Sequence, residues 1–291
     1  MRKILHIITA ILIIAGVCNA AFEDKPVARP AGLGEAFTAM TGDASSIFYN
    51  PAGIAVLKNT EISLSYSRSF VGLNYDGLNN GLGAFVMPLG EYGVLGAGYL
   101  LFSSDLYRES TISFSYAYYF NELPLSLGIT GKLLGINYVE NDYTKIDSLF
   151  ILKGNSKSVF DIELGCLLEL IKGMRIGVVL ENALQPDISL AGDGAKLPMK
   201  IRAGIAYELG NITPTVDVTY TTEKTVINGG IEYWDDSKTL GIRCGGSINE
   251  AAIGLSYILG EIGIDYAFLY PINSITGTYG SHLISLGWKF R

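Results

Sequence analysis

The chain has 291 residues, 49% of them hydrophobic and 17% charged. Without Arg2 and Lys3, which sit in a leader described next, its 21 basic residues become 19 against 28 acidic ones, a net charge of about −9 that disfavours nucleic acid and other extended polyanions as partners. Beyond that leader only Cys166, Cys244 and His282 are left of the residues that build disulfide scaffolds or soft metal centres, so no cofactor and no metal is expected.

Residues 1–20 combine a basic start, an apolar run from Ile4 to Val17 and a small-residue exit at Cys18-Asn19-Ala20, the pattern of a secretory signal peptide cleaved near Ala20 to leave Ala21 first. The apolar run is shorter than the ~20 residues a membrane-spanning helix needs, and His6 and Thr9 interrupt it. Lipoprotein processing at Cys18 fits poorly because Val17 stands where a small residue is wanted. No second long apolar stretch follows, which excludes helical spans.

Residues 21–58 lack strand alternation. Ala31 to Met40 is rich in small residues and reads as a short helix; Thr41, Asp43 and Ser45 can cap a second turn over Ser46 to Tyr49, with Pro51 ending it. In Asn50-Pro51-Ala52-Gly53, Pro51 fixes φ, Gly53 is expected to supply a positive φ and Asn50 to bond nearby backbone. The functional reading of Asn50, Pro51, Gly53 and Asp43 is a latch that sets this segment, as an N-terminal plug, against a barrel wall. Phe37, Met40 and Phe48 are the candidate walls of an apolar ligand pocket.

From 59 to 291 the pattern has period two. Ile62, Leu64 and Tyr66 alternate with Glu61, Ser63, Ser65 and Ser67; Ile112, Phe114, Tyr116, Tyr118 and Phe120 alternate with Thr111, Ser113, Ser115 and Ala117. Ile201, Ile205 and Tyr207 oppose Lys200, Arg202 and Gly204, and Val216, Val218 and Tyr220 oppose Thr215, Asp217 and Thr219. Here the large side chains fill the apolar face and the polar face is small, as in strands with lipid on one side and a polar lumen on the other; a soluble sandwich would bring its apolar faces together in a thin core. Fourteen such segments, near 61–70, 81–89, 92–102, 110–120, 124–139, 157–170, 173–181, 198–209, 212–221, 225–234, 238–246, 250–259, 261–270 and 281–290, predict an all-β, membrane-spanning antiparallel β-barrel. Tight connections at Gly90–Gly93, Asn121–Pro124, Leu170–Gly173, Leu209–Asn211, Asp235–Lys238 and Gly260–Glu261 interleave with longer ones, the longest near 140–156, 182–197 and 271–280. Short periplasmic turns and long outer loops give that alternation and put both chain ends in the periplasm. The abundance of Tyr and Phe, 18 and 12, suits aromatic girdles at the two membrane interfaces.

By parity the lumen collects Glu61, Asp161, Glu163, Glu169, Arg175, Glu181, Arg202, Glu208, Asp217, Glu232, Arg243, Asp265 and Lys289. A mixed set of this kind is expected to form an ion-pair network that closes the lumen or ties down a plug. Cys166 and Cys244 fall on the apolar face as small apolar groups, not as a disulfide. His282 beside Ser281 has no acid at a telling spacing and reads as an interface residue, so no enzyme is expected; Gly192-Asp193-Gly194-Ala195-Lys196 lacks the context of a phosphate loop and reads as a turn.

The runs Ala31-Gly32-Leu33-Gly34, Gly42-Asp43-Ala44-Ser45-Ser46 and Asn50-Pro51-Ala52-Gly53, within residues 29–57, resemble the N-terminal signature of the PorV/PorQ outer-membrane proteins, which look like FadL-type barrels. The resemblance implies a lumenal plug ahead of about fourteen strands and leaves three roles open: a non-enzymatic partner of a protein secretion and cell-surface attachment system, a FadL-like passive transporter of a hydrophobic ligand, or a structural or porin-like barrel. The last strand, Ile284 to Arg291, is similar to the signal that hands barrels to their assembly machinery, departing from it by the extra Arg291 after Phe290. Expected surroundings are outer-membrane lipid, that machinery and secretion-system proteins or the hydrophobic ligand, with the barrel monomeric.

Overall fold

The computed structural model describes residues 21–22, 24–73, 78–142, 144–190, 194–272 and 277–290. The signal segment lies outside them, as do Ala191, Gly192 and Asp193 of the glycine-rich loop.

Fourteen strands form: β1 (Thr60–Arg68), β2 (Asn79–Pro88), β3 (Val94–Ser103), β4 (Tyr107–Phe120), β5 (Leu125–Tyr138), β6 (Ser156–Ile171), β7 (Met174–Glu181), β8 (Lys200–Tyr207), β9 (Ile212–Tyr220), β10 (Thr225–Trp234), β11 (Leu240–Ser247), β12 (Glu250–Leu259), β13 (Ile262–Pro271) and β14 (Ser281–Phe290). Each pairs antiparallel with its chain neighbours, and β1 meets β14 in register from Thr60 opposite Phe290 to Arg68 opposite His282, closing the barrel. Closure leaves no sheet edge, the condition for strands to cross a bilayer where exposed amides find no water. None of the described helices is long and apolar enough to cross.

The faces follow the parity of the sequence. Leu64 and Phe114 expose 54% and 69% of their surface outward, whereas Ser63 and Ser113 keep 7% and 1%. Apolar side chains exposed in such numbers all round the wall have lipid as their solvent. Outward aromatics stand toward both strand ends, Tyr116, Phe120, Tyr233, Tyr257 and Trp288 on the tight-turn side and Tyr66, Tyr220 and Tyr270 on the loop side, with Tyr99, Phe114 and Tyr266 between them. His282 lies at the loop end of β14, its Nδ1 2.7 Å from the Tyr266 hydroxyl. Cys166 and Cys244 are free thiols. At the tight-turn end the Asp235 carboxylate accepts the amides of Thr239 (2.7 Å) and Leu240 (2.8 Å); the Ser237 hydroxyl foremost, and these amides with it, favour the carboxylate and hold its pKa below the ordinary aspartate range.

Residues 24–57 run inside this wall, and their local structure departs from expectation in three places. The helix expected over Ala31–Met40 is shorter and earlier, α1 (Ala28–Gly32). Gly34 and Glu35 follow at φ +63° and +68°, a left-handed pair that cannot continue a helix and turns the chain along the barrel wall. Asp43 does cap a 3-10 turn, Ala44–Phe48, by accepting the Ser45 amide at 3.0 Å. That turn ends before Pro51, as expected, with Asn50 extended; Pro51 also opens a second, unexpected 3-10 turn, Pro51–Val56, with Asn50 as its cap, because its missing amide costs nothing at a first helical position. Gly53 lies within that turn and is absent from the positive-φ residues; a side chain there would press on Ser46 Cβ at 3.3 Å and the Met40 carbonyl at 3.4 Å, so close packing explains the glycine.

Candidate functional site: the N-terminal segment and the lumen it fills

The segment visits almost the whole inner circumference. Helix α1 lies on β12 and β13, with the Ala28 amide donating to Ser285 Oγ at 2.9 Å on β14. Leu33 and Gly34 pass over β10 and β11, Thr38 over β7 and β8, Asn50 to Ala52 over β5 and β6, and Ile47 and Phe48 over β3. The wall yields to it at inward-facing glycines. A Cβ on Gly128 would stand 2.4 Å from the Ala52 nitrogen, on Gly165 2.3 Å from Asn50 Oδ1, on Gly177 2.2 Å from the Thr38 carbonyl and on Gly245 2.2 Å from the Leu33 carbonyl carbon. Gly128, Gly177 and Gly245 admit backbone against backbone, and Gly165 admits the Asn50 and Pro51 side chains; none has room for a Cβ of its own.

Three ties fix the segment. The Arg29 guanidinium clamps Glu232 of β10 in a two-pronged pair, Nε to Oε1 and Nη2 to Oε2 both at 2.9 Å, while Nη1 donates to Asp43 Oδ2 and the Thr41 carbonyl at 3.0 Å. Glu232 also faces Arg243 at 3.2 Å, which reaches Asp265 at 3.1 Å. Arg243 is 2% exposed, and a guanidinium so deep persists only with such partners. Second, Asp217 Oδ2 on β9 accepts the Phe37 amide at 2.9 Å, the Thr38 amide at 2.9 Å and the Thr38 hydroxyl at 2.6 Å. Third, Asn50 Nδ2 donates to the Thr38 carbonyl at 2.8 Å and to the Cys166 carbonyl of β6 at 3.1 Å, while its Oδ1 accepts the Ala52 amide at 3.0 Å. One side chain thus joins two parts of the segment to the wall.

Charges of the parity set pair with one another as expected, but Glu181, Glu232 and Glu163 also take cations from outside it. Lys25 pairs with Glu181 at 2.9 Å, and Lys132 of β5 pairs with Glu163. Lys132 shares the inward parity of Ser126 and Thr130 and is missing from the sequence-derived set, as are Lys25, Arg29 and Thr38, which carry no period. Inward glycines among serines and threonines were the available signal for where another backbone approaches.

Phe37, Met40 and Phe48 are 0, 2 and 3% exposed. They pack with Tyr49, whose ring meets Phe37 edge-on at 5.3 Å, and with small wall residues such as Gly98. Among the described residues, two lumenal cavities flank the segment, and these three side chains line neither. The cavity at the tight-turn end, about 250 Å³, is walled by Arg29, Asp43, Glu61, Trp234 and Lys289. The other, at the loop end and about 370 Å³, is polar, with Lys25, Glu35, Glu181, Lys200, Arg202 and Glu250 among its walls.

The family described as type IX secretion system membrane protein PorP/SprF matches residues 43–288, from the Asp43 cap to the last strand. The chain belongs to this family. No curated protein matches it. Among solved structures this PorP/SprF member is similar to the toluene transporter TbuX of Ralstonia pickettii, at 14% identity and a TM-score of 0.64 over 92% of this chain and 98% of that one. The toluene transporter TodX of Pseudomonas putida gives 10% identity and 0.55 over 89% and 95%, and a FadL homologue of Pseudomonas aeruginosa 12% and 0.55 over 87% and 93%. At these identities the likeness is one of fold: a FadL-like outer-membrane barrel. The families concerned are membrane barrels of secretion and transport, not enzymes.

Proposed function

We propose that this PorP/SprF member is a non-enzymatic partner in type IX secretion whose N-terminal segment acts as a plug, so that the barrel serves as an anchor and docking body and not as an open pore. The family match carries the secretion role; the three ties and the glycine-lined wall support the plug. Asn50, Pro51, Gly53 and Asp43 are its latch: Asn50 bonds wall and segment together, Pro51 seats against Gly165, Gly53 allows the close turn on Met40 and Asp43 fastens back to Arg29. The likeness to PorV/PorQ proteins is a likeness of this segment, most of it before and at the start of the matched region. The protein is read as a monomeric barrel exported by a signal peptide cleaved after Ala20 and delivered to the assembly machinery by β14.

Passive transport of a hydrophobic molecule is the second reading, favoured by the FadL-like fold. It needs a ligand site, and the residues first suggested for one, Phe37, Met40 and Phe48, are packed core. A photo-crosslinker placed at Asn182 or Asn155 in the outer loops, or at Asp236 in a tight turn, should capture a secretion-system component or a secreted protein in native membranes. Intact type IX secretion in a strain lacking the protein, together with a long-chain apolar molecule copurifying with it, would replace this reading by transport.

A further inference from the structure

We infer that the N-terminal segment runs down into the barrel from its outer, loop-side mouth, so that it seats fully only after the leader has been cut away, and that the new amino terminus is displayed at the cell surface. This order of events rests on the plug and signal-peptide readings.

Both ends of the wall, Thr60 of β1 and Phe290 of β14, stand opposite each other at the tight-turn end. The segment ahead of β1 begins at the other mouth. Asp24, Lys25 and Pro26 wall the loop-end cavity, and Lys25 reaches Glu181, the last residue of β7 before a long loop, at 2.9 Å. Three residues earlier the Phe22 amide donates to the carboxylate of Glu109, which lies two residues inside the loop end of β4 and is buried. From there the chain descends. Ala28 meets Ser285 in the middle of β14, and Asp43 joins the tight-turn cavity beside Glu61 and Lys289, at the end where β1 starts. The expectation that both chain ends lie on one side therefore holds for the wall and not for the amino terminus, because strand parity and turn length carry no information about a segment that crosses the lumen.

Covalent reach then sets the order. Val17, at the end of the apolar run, is five residues from Phe22, a span of roughly 17 Å when fully extended. The apolar band of an outer-membrane barrel is by itself about 25 Å tall. A leader still held in the inner membrane cannot deliver Phe22 to Glu109 or Lys25 to Glu181. Nor can an uncut leader follow the segment through the lumen without moving Ile4, Leu5, Ile7, Ile8, Ile11, Leu12, Ile13, Ile14 and Val17 from lipid into water, which one amide bond and one ion pair do not offset. The ties at the outer mouth thus form on the cut chain, and Ala21 marks the place where that chain meets the cell exterior.

The test places a short epitope between Ala21 and Phe22, which leaves the cleavage site intact, and compares it with epitopes at Asn155 and Asp236. Staining on intact cells together with the Asn155 epitope is expected. An amino-terminal epitope that is stained only when the Asp236 epitope is stained overturns the inference. If the whole topology were inverted, the amino terminus would still be stained with Asn155, so a failure of the topology reading is distinguishable. A compact folded domain fused at the same point cannot pass a filled lumen. That fusion should conduct ions steadily in planar bilayers, and hydrogen exchange over residues 33–41 should rise at least about tenfold, whereas the same domain fused at the carboxyl end of β14 changes neither. A silent barrel whose amino-terminal domain is stained only after permeabilisation overturns the inference. Ala20→Leu slows cleavage; in permeabilised cells, uncut chains with an assembled, protease-resistant wall should lose residues 24–57 to added protease, and resistance of that stretch in uncut chains overturns the order of events. If the unaltered protein itself conducts, the plug reading fails, and the paired staining decides where the amino terminus lies.

Discussion

Asp217→Ala removes the most economical of the three ties, because one carboxylate oxygen accepts three donors from Phe37 and Thr38. Hydrogen bonds to a charged group contribute ~1.5–3 kcal/mol each, so the gross loss is roughly 5–9 kcal/mol. Against it stands the relief of no longer burying a carboxylate that is 1% exposed and whose Oδ1 has no partner, an effect of several kcal/mol. The net weakening of the segment's docking is then ~2–4 kcal/mol, with Asp217→Asn, which keeps an acceptor oxygen, well below it. Docking is read by hydrogen exchange of the peptides spanning residues 33–41 in detergent. At ~1.4 kcal/mol per decade, amide protection at Phe37 and Thr38 should fall roughly 30- to 1,000-fold in Asp217→Ala, while protection in β9 stays near that of the unaltered protein. In planar bilayers the same variant should show ion-conducting openings that the unaltered protein lacks. Protection at Phe37 and Thr38 that stays within about threefold of the original would refute the view that Asp217 holds the segment in place.

Gly165→Val should lower barrel stability by about 1–3 kcal/mol, read as a lower melting temperature, since its Cβ would stand 2.3 Å from Asn50 Oδ1; Gly81→Val on the outer face, with nothing within 4 Å, should be nearly silent. An epitope inserted at Asn155 should be stained on intact cells and one at Asp236 only after permeabilisation; the reverse would invert the topology. Deleting residues 29–57 should turn a protein nearly silent to ions into a steady conductor, and an unchanged bilayer record would show that the segment does not seal the lumen. N-terminal sequencing of the outer-membrane form should begin at Ala21, and a retained leader would contradict cleavage.

The barrel was legible in the sequence because its solvent imposes a local rule. Lipid on one side and a polar lumen on the other force each residue to declare its face, so Leu64 and Ser65, or Val216 and Asp217, could be assigned without knowing any partner. All fourteen strands follow, with bounds within three residues of those expected. The tight connections were equally legible, since Asp235-Asp236-Ser237-Lys238 and its counterparts carry turn chemistry in two to four residues. The candidate site was legible only on its wall side. Glu232, Asp217 and Glu181 announce themselves by parity as inward charges; what they hold does not.

Residues 24–57 obey no period, so propensity alone speaks for their conformation; it places the helix too late and gives no sign of the second turn that Pro51 opens. Only the closed barrel decides those points. It fixes a lumen of given width in which Gly34 must turn to pass Gly246, and it brings Arg29 to Glu232 across 203 residues of sequence and Phe37 to Asp217 across 180. The sequence by itself determined a lipid-facing wall of fourteen strands with a charged interior, because alternation is a property of neighbouring residues. Which cation meets which acid, which glycine admits which backbone, and that Phe37, Met40 and Phe48 pack as core were decided by tertiary structure, because these contacts join segments that share no local pattern and meet only when β1 closes on β14.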